Sequence, residues 1–400
     1  MLTGASYLLT FLSSLLAIPV GVLLVEIVAA IALPRREPDS LAEPIRPQVA
    51  VLVPAHNEGG GLLPTIEDVK AQLRPGDRLL VVADNCSDDT AAIATAAGAE
   101  VIVRNDDQRI GKGYALDWGL RHLSNDPPET VIIIDADCRL GLATIEHLTA
   151  ACTSTRRPVQ ALNLMVAPDQ SPIEYQVAEF AWRVKNWLRP QGLNALGLPC
   201  QLSGTGMAFP WDAIRSANVA NASLVEDLML GLDLAAARHP PLFCPSACVT
   251  SRFASSLNAA GIQRARWERG HINTILSMVP RLLGMALARG NWALLALTLD
   301  LAVPPLSLLG MIVAGMSILA GLSIFFGLSS MPLFVAISSL LVFSLAVLLA
   351  WLKCGRDILP ARSLLSISPY MLAKLGLYWH VLSGNKKAQW IRTDRTKSGQ

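Results

Sequence analysis

Val131-Ile132-Ile133-Ile134-Asp135-Ala136-Asp137 begins as four apolar, β-branched residues and ends in two carboxylates. So short and so apolar a run reads as a strand buried on both faces, as in a parallel sheet. Three runs upstream read alike, at residues 49–53, 79–83 and 100–103, with helical patterns over 61–72, 88–97 and 114–124 in between. Strands alternating with helices predict an α/β fold with a parallel sheet within about residues 48–275. Ligands of such sheets bind beyond the carboxyl ends of the strands. Polar clusters fall at those ends: Pro54-Ala55-His56-Asn57-Glu58, then Asp84-Asn85-Cys86-Ser87-Asp88-Asp89, then Asp135-Ala136-Asp137. Asn57, Glu58, Ser87 and Asp88 also suit plain helix caps. Asp135 and Asp137 are harder to explain structurally, because two carboxylates at a sheet edge repel each other unless a cation lies between them. A hard divalent ion, Mg2+ or Mn2+, suits that place and also takes phosphate oxygens. Gly111-Lys112-Gly113, opening a helix, is a phosphate neighbour by position. It is too short to be a Walker motif.

Outside this block the composition changes character. The 400 residues are 52% hydrophobic and 16% charged, with a mean hydropathy of +0.42, whereas about 25% charged is usual for soluble domains. Basic and acidic residues number 33 and 31, so bulk charge calls for no nucleic acid. Seven cysteines without a C-x-x-C pair read as reduced structural thiols, Cys244 and Cys248 being the one close pair. Six histidines form no H-E-x-x-H or similar cluster, which argues against a His-ligated metal.

Residues 7–33 are apolar enough to span a bilayer, for which about 20 residues suffice. Arg35 and Arg36 follow directly, so the positive-inside rule places the N-terminus outside and the following block in the cytoplasm. A second span begins at Trp292 and runs past Phe326; a third covers 331–352 and is closed by Lys353 and Arg356. Residues 280–289 read as an amphipathic entry helix, and 363–382, interrupted by Pro369 and Lys374, as an interfacial helix. Glu26 and Asp300 are either functional intramembrane acids or interface residues.

The ordered set Val51–Glu58, Asp84, Gly111-Lys112-Gly113, Asp135-Ala136-Asp137, Ser203-Gly204-Thr205-Gly206, Glu226-Asp227 and Gln263-Arg264-Ala265-Arg266-Trp267 resembles the inverting family 2 glycosyltransferases. More narrowly, it is similar to the membrane-embedded branch of cellulose, chitin, hyaluronan and poly-β-1,6-N-acetylglucosamine synthases. The resemblance implies a Rossmann-like GT-A domain inserted between transmembrane helices, and a nucleotide-sugar donor, usually a UDP-sugar. Its implied organisation is a transmembrane helix over 1–34, a linker over 35–47, the cytoplasmic GT-A domain over 48–279, an entry helix and two transmembrane helices over 280–355, and an interfacial helix and tail over 356–400. An integral protein of a bacterial inner membrane is expected.

By the same resemblance, Pro54, Ala55 and Glu58 would line the nucleotide pocket, with Asp84 on the base and Lys112 beside it. Asp135 and Asp137 would hold the metal, and Ser203, Gly204, Thr205 and Gly206 would line the acceptor entrance. In the Q-x-x-R-W signature, Gln263 and Arg266 would serve the donor and Trp267 the acceptor sugar. One departure is Val225 before Glu226-Asp227, where the synthases commonly have Thr.

The residue types set the chemistry. An attacking hydroxyl must lose a proton, and Asp227, with Glu226 beside it, is the candidate base. Arg266 and the cation would stabilise the leaving diphosphate. No enzyme nucleophile is required, so the anomeric configuration should invert. The expected enzyme is a hexosyl- or N-acetylhexosaminyltransferase acting on a growing polysaccharide. The alternatives are a single addition to a lipid-linked sugar or glycolipid, or a non-catalytic scaffold of a secretion system. A lipid phosphate is already ionised and needs no base, so Asp227 argues against it as acceptor. Three readable spans are few for polymer export, which suggests an export partner or a homo-oligomer among membrane lipids.

Overall fold

The computed structural model describes residues 2–36, 46–169, 171–220, 225–254 and 256–366. Most of the expected interfacial helix at 363–382, and the tail after it, lie outside the described residues. The α/β block is built on an eight-stranded sheet of order β3-β2-β1-β4-β7-β6-β8-β5. β1 (Val49–Ala55), β2 (Arg78–Asp84), β3 (Glu100–Arg104) and β4 (Thr130–Ile133) run parallel. β1, β2 and β4 are apolar on both faces because helices cover both, whereas the edge strand β3 exposes Glu100 and Val103. Val49, Val51 and Val53 of β1 face α2 (Leu63–Lys70) and α5 (Thr144–Thr155) through Ile66, Ile145 and Leu148. Ala50 and Leu52 face α4 (Lys112–Leu123) through Leu116, Leu120 and Leu123. α3 (Thr90–Ala96) joins β2 to β3.

Beyond β4 the sheet ceases to be parallel. β7 (Met207–Pro210) pairs antiparallel to β4 and to β6 (Val159–Val166), while β8 (Leu242–Arg252) runs parallel to β6 and antiparallel to the short β5 (Arg139–Leu140). This half was not among the strands read from the sequence. β6 mixes Gln160 and Asn163 into an apolar run, and β8 carries Pro245.

Among the described residues, three helices are long and apolar enough to cross a membrane: residues 4–32 of α1 (Leu2–Ala32), α12 (Leu306–Phe325) and α13 (Met331–Cys354). Their outer faces carry large exposed apolar side chains, such as Phe325 (87% exposed) and Phe334 (70%), as expected of helices that are apolar all round and meet lipid. The apolar run starting at Trp292 is not one helix. Pro304-Pro305 divide it, leaving the ten-residue α11 (Trp292–Leu301) before α12. Pro280 does not interrupt α10, which runs from Leu257 to Ala288 and is capped by Ser256 Oγ accepting from Ala259 N at 3.1 Å.

A continuous helical segment docks the α/β block on these helices. It comprises α6 (Ile173–Arg183), a π-helical turn (Val184–Leu188) and α7 (Arg189–Ala195). Phe180, Val184 and Leu188 pack with Val20, Leu23 and Ile27 of α1 and with Ala346 and Ala350 of α13. α8 (Trp211–Ile214) and α9 (Glu226–Ala236) complete the block.

Candidate active site

Asp135 lies two residues beyond β4, and its backbone N donates to Thr205 Oγ1 at 3.0 Å. Lys112, the first residue of α4, reaches Asp135 Oδ1 at 2.5 Å and donates to the Gly204 carbonyl at 2.6 Å. Gly204 has φ +89°, and a Cβ there would meet Asp227 Oδ2 at 3.3 Å and Lys112 Nζ at 3.6 Å. A side chain at 204 would therefore intrude on both charges, which is why glycine suits the place. The structure thus brings Lys112, Asp135, Gly204, Thr205 and Asp227 together. Glu226 and Asp227 open α9, where the helix dipole favours negative charge.

Burial, and then the neighbouring Asp227 charge, push the Glu226 carboxyl up to about 7. Burial also raises Asp227, against the pull of the Lys112 ammonium. Burial opposes the charge on Lys112, but Asp135 and Glu226 outweigh it and hold the ammonium protonated.

The expectation that Asp135 and Asp137 need a cation between them meets a built-in one in Lys112, which pairs with Asp135. Ligand atoms of Asp135, Asp137 and Cys138 all lie within 4.8 Å of one another. Burial pushes the Cys138 thiol up to about 12, so it stays protonated. The two carboxylates fit a hard divalent cation and the neutral thiol does not.

The Ser203–Gly206 loop is held by residues the sequence did not reveal. Gln160 accepts from Ser203 N at 2.8 Å and donates to the Thr205 carbonyl at 2.9 Å; Asn163 donates to the Ser203 carbonyl at 3.0 Å. The polar residues inside an apolar strand were the available signal. Gly206, φ +66°, leaves no room for a Cβ, which would meet Ala161 and Val249 at 2.8 Å.

At the nucleotide end, Ala55 is buried and Pro54 half-buried at the end of β1, and Glu58 N donates to Thr90 Oγ1 at 2.9 Å. Asp84 is buried against Arg104, whose Nη1 donates to Asp84 Oδ1 at 2.6 Å. Burial raises the Asp84 carboxyl and Arg104 lowers it, with a net rise. Arg104, another residue not foreseen, also lies over the Tyr114 ring, 5.6 Å from its centroid.

Gln263, Arg266 and Trp267 sit together on α10. Gln263 is buried, and its Oε1 has no hydrogen-bond partner among the described residues. Burial lowers the pKa of Arg266, and the Glu226 charge opposes that. Trp267 packs on Trp182, with ring centroids 5.2 Å apart, and Trp182 Nε1 donates to the Asn163 carbonyl at 3.0 Å. Lys185, in the π-helical turn, is deep in the protein, and burial lowers its pKa against the pull of Asp227. Its surface is nonetheless open, because it projects into a cavity bordered by Trp182 and Trp267.

Glu26 and Asp300 are joined to each other through Arg189. Arg189 Nε donates to Glu26 Oε2 at 2.6 Å, and Nη2 to Asp300 Oδ1 at 2.5 Å. Glu26 is 2% and Asp300 6% exposed, so the pair belongs to a buried ion triad that ties α1 to α7 and α11.

Residues 47–270 match the family described as "Glycosyltransferase like family 2". An uncharacterized glycosyltransferase of Mycobacterium bovis is 35% identical over 122 residues, 29% of this chain and 51% of that protein. One from Mycobacterium tuberculosis matches equally. The chain spans about half the length of these curated relatives. Among solved structures, a mannosyltransferase from Pyrobaculum calidifontis, in complex with GDP-Man and Mn2+, superposes with a TM-score of 0.54 at 18% identity, covering 94% of this chain and 100% of that one. That likeness establishes a shared GT-A-like fold with flanking apolar helices.

Proposed function

The chain belongs to the glycosyltransferase-like family 2, and from that premise we propose that it transfers a hexosyl or N-acetylhexosaminyl unit, with inversion, from a nucleotide-sugar to a glycan acceptor at a membrane. One observation carries the reading: Asp227, Lys112 and Asp135 converge around Gly204 at the carboxyl edge of the sheet.

Asp227 takes the proton of the acceptor hydroxyl as its oxygen bonds to the anomeric carbon. The bond from that carbon to the diphosphate oxygen breaks, and the nucleoside diphosphate leaves with the electron pair. Pro54, Ala55, Glu58 and Asp84 line the nucleotide side, and Gln263 and Arg266 the diphosphate side. Asp135 and Asp137 would hold Mg2+ or Mn2+, which supplies charge stabilisation to the diphosphate when bound. Ser203, Gly204, Thr205, Gly206 and Trp267 line the acceptor side. The catalytic domain faces the cytoplasm of a bacterial cell. A scaffold that had lost catalysis would tolerate losing Asp135, Asp137 or Asp227, and all three are present.

The test is a donor screen on the full chain in lipid nanodiscs with Mg2+ or Mn2+. It includes UDP-sugars and also GDP-sugars, since a protein of this fold was solved with GDP-Man and Mn2+. Asp227→Asn should lose about 10²–10⁴-fold in turnover while donor affinity survives. An Asp227→Asn enzyme that stays within a few-fold of the parent moves the base to Glu226.

A further inference from the structure

A cavity of about 290 Å³ opens where the catalytic block meets the apolar helices. Its size is near the lower end for small-molecule sites, roughly 300–1,000 Å³. Trp182, Lys185 and Trp267 border it on the catalytic side; Leu23, Phe343 and Trp351 border it on the other. Leu23 lies in the last third of α1 and Trp351 in the last turn of α13, while Leu306, also on the wall, opens α12. The cavity therefore opens at one common end of all three apolar helices, the depth at which Trp, Lys and Arg collect in a bilayer, and extends as far as Phe343, midway along α13. Lys353 and Arg356 stand at that same end, Arg356 lying 5.5 Å from the Trp351 ring centroid.

The wall is mostly hydrocarbon and aromatic surface. A glycan chain lying here would give up water at its hydroxyls for few partners, whereas a hydrocarbon chain gains by the same burial. The charged lining, Lys185, Arg189, Arg264 and Glu268, is carried by the π-helical turn, α7 and α10, and Lys185 lies within electrostatic reach of both Asp227 and Glu268. The cavity is thus apolar toward the helices and charged toward Asp227.

We infer that the acceptor is a membrane amphiphile whose hydrocarbon chain occupies this cavity while its sugar hydroxyl reaches Asp227 past Lys185. The head-group half of this statement rests on Asp227 being the base, and the chain half does not.

The test uses the full chain in phosphatidylcholine nanodiscs with a dodecyl β-glucoside carrying a diazirine at its chain end; cross-linked residues are mapped by mass spectrometry. Label should fall on the cavity wall, within residues 178–185 and 343–351, and be competed by dodecyl glucoside but not by methyl glucoside. Val347→Trp, which fills the cavity from α13, should lower that labelling at least tenfold. Nucleoside-diphosphate affinity in the same sample reports folding; if it is lost, Ala178→Phe fills the cavity from the opposite wall. Labelling confined to the outward faces of α1, α12 and α13, or unchanged in the filled variants, overturns the inference. A failed donor screen with cavity labelling intact sinks only the proposed function. Transfer without cavity labelling sinks only this inference.

Discussion

Burial makes Asp227, the proposed base, ionise less readily than in water, while Lys112 and Lys185 pull the other way and Asp135 adds a like charge; Asp227 in turn holds Glu226 up. Since a base must be ionised and burial raises the Asp227 carboxyl, turnover should rise with pH over a range above that of an ordinary aspartate. Glu226→Gln removes the like charge, so Asp227 ionises at lower pH and the acidic limb of the profile moves down. Lys112→Met removes the favourable cation and moves the limb up. Turnover against pH at saturating donor measures both, and shifts of the same sign in the two variants would exclude this electrostatic account. At this scale much was legible: Asp135 and Asp137 stand out because an apolar run stops abruptly at them. Lys185 and Arg104 were not, because one depends on a π-helical turn and the other on a partner twenty residues away across β2 and β3.

The helix that docks the catalytic block depends on close backbone approach and on one ion triad. A Cβ at Gly192 would lie 1.9 Å from the Glu26 carbonyl oxygen, so α1 and α7 touch through backbone there. Gly192→Val must push the helices apart, at about 1–3 kcal/mol by analogy with overpacked cores, and a lower melting temperature in nanodiscs should report it. Arg189→Met strands two buried carboxylates, a loss of about 3–5 kcal/mol for a broken buried pair. Adding Glu26→Gln and Asp300→Asn should restore most of it; a triple variant no more stable than Arg189→Met alone would remove the triad from the account. Sequence alone exposed Glu26 and Asp300 as acids in apolar surroundings but not Arg189, whose helix follows no long apolar period. For the same kind of reason β1 to β4 were readable as uniform apolar runs, while β6 and β8 carry the polar residues that pin the Ser203–Gly206 loop.

Among the described residues the helices long and apolar enough to cross a bilayer number three, and if all three cross, the two ends of the set lie on its opposite faces. The turn between α12 and α13 sits beside the start of α1, where Ser329 N donates to Ser6 Oγ at 3.1 Å. The catalytic block, the cavity, Lys353 and Arg356 all lie at the other end. We propose that this end is cytoplasmic, because Lys and Arg resist translocation. A cysteine at Ser329 should then react with a membrane-impermeant maleimide in intact cells, and one at Asp107 only after permeabilisation, each compared with the parent chain and its own thiols. Labelling of Asp107→Cys in intact cells, with Ser329→Cys protected, would reverse the orientation and put the site out of reach of cytoplasmic nucleotide-sugars. With the expected pattern, the proposed donor and amphiphile would arrive from different phases: the nucleotide from water at the sheet edge, and the acceptor from the adjoining leaflet, with Asp227 between them.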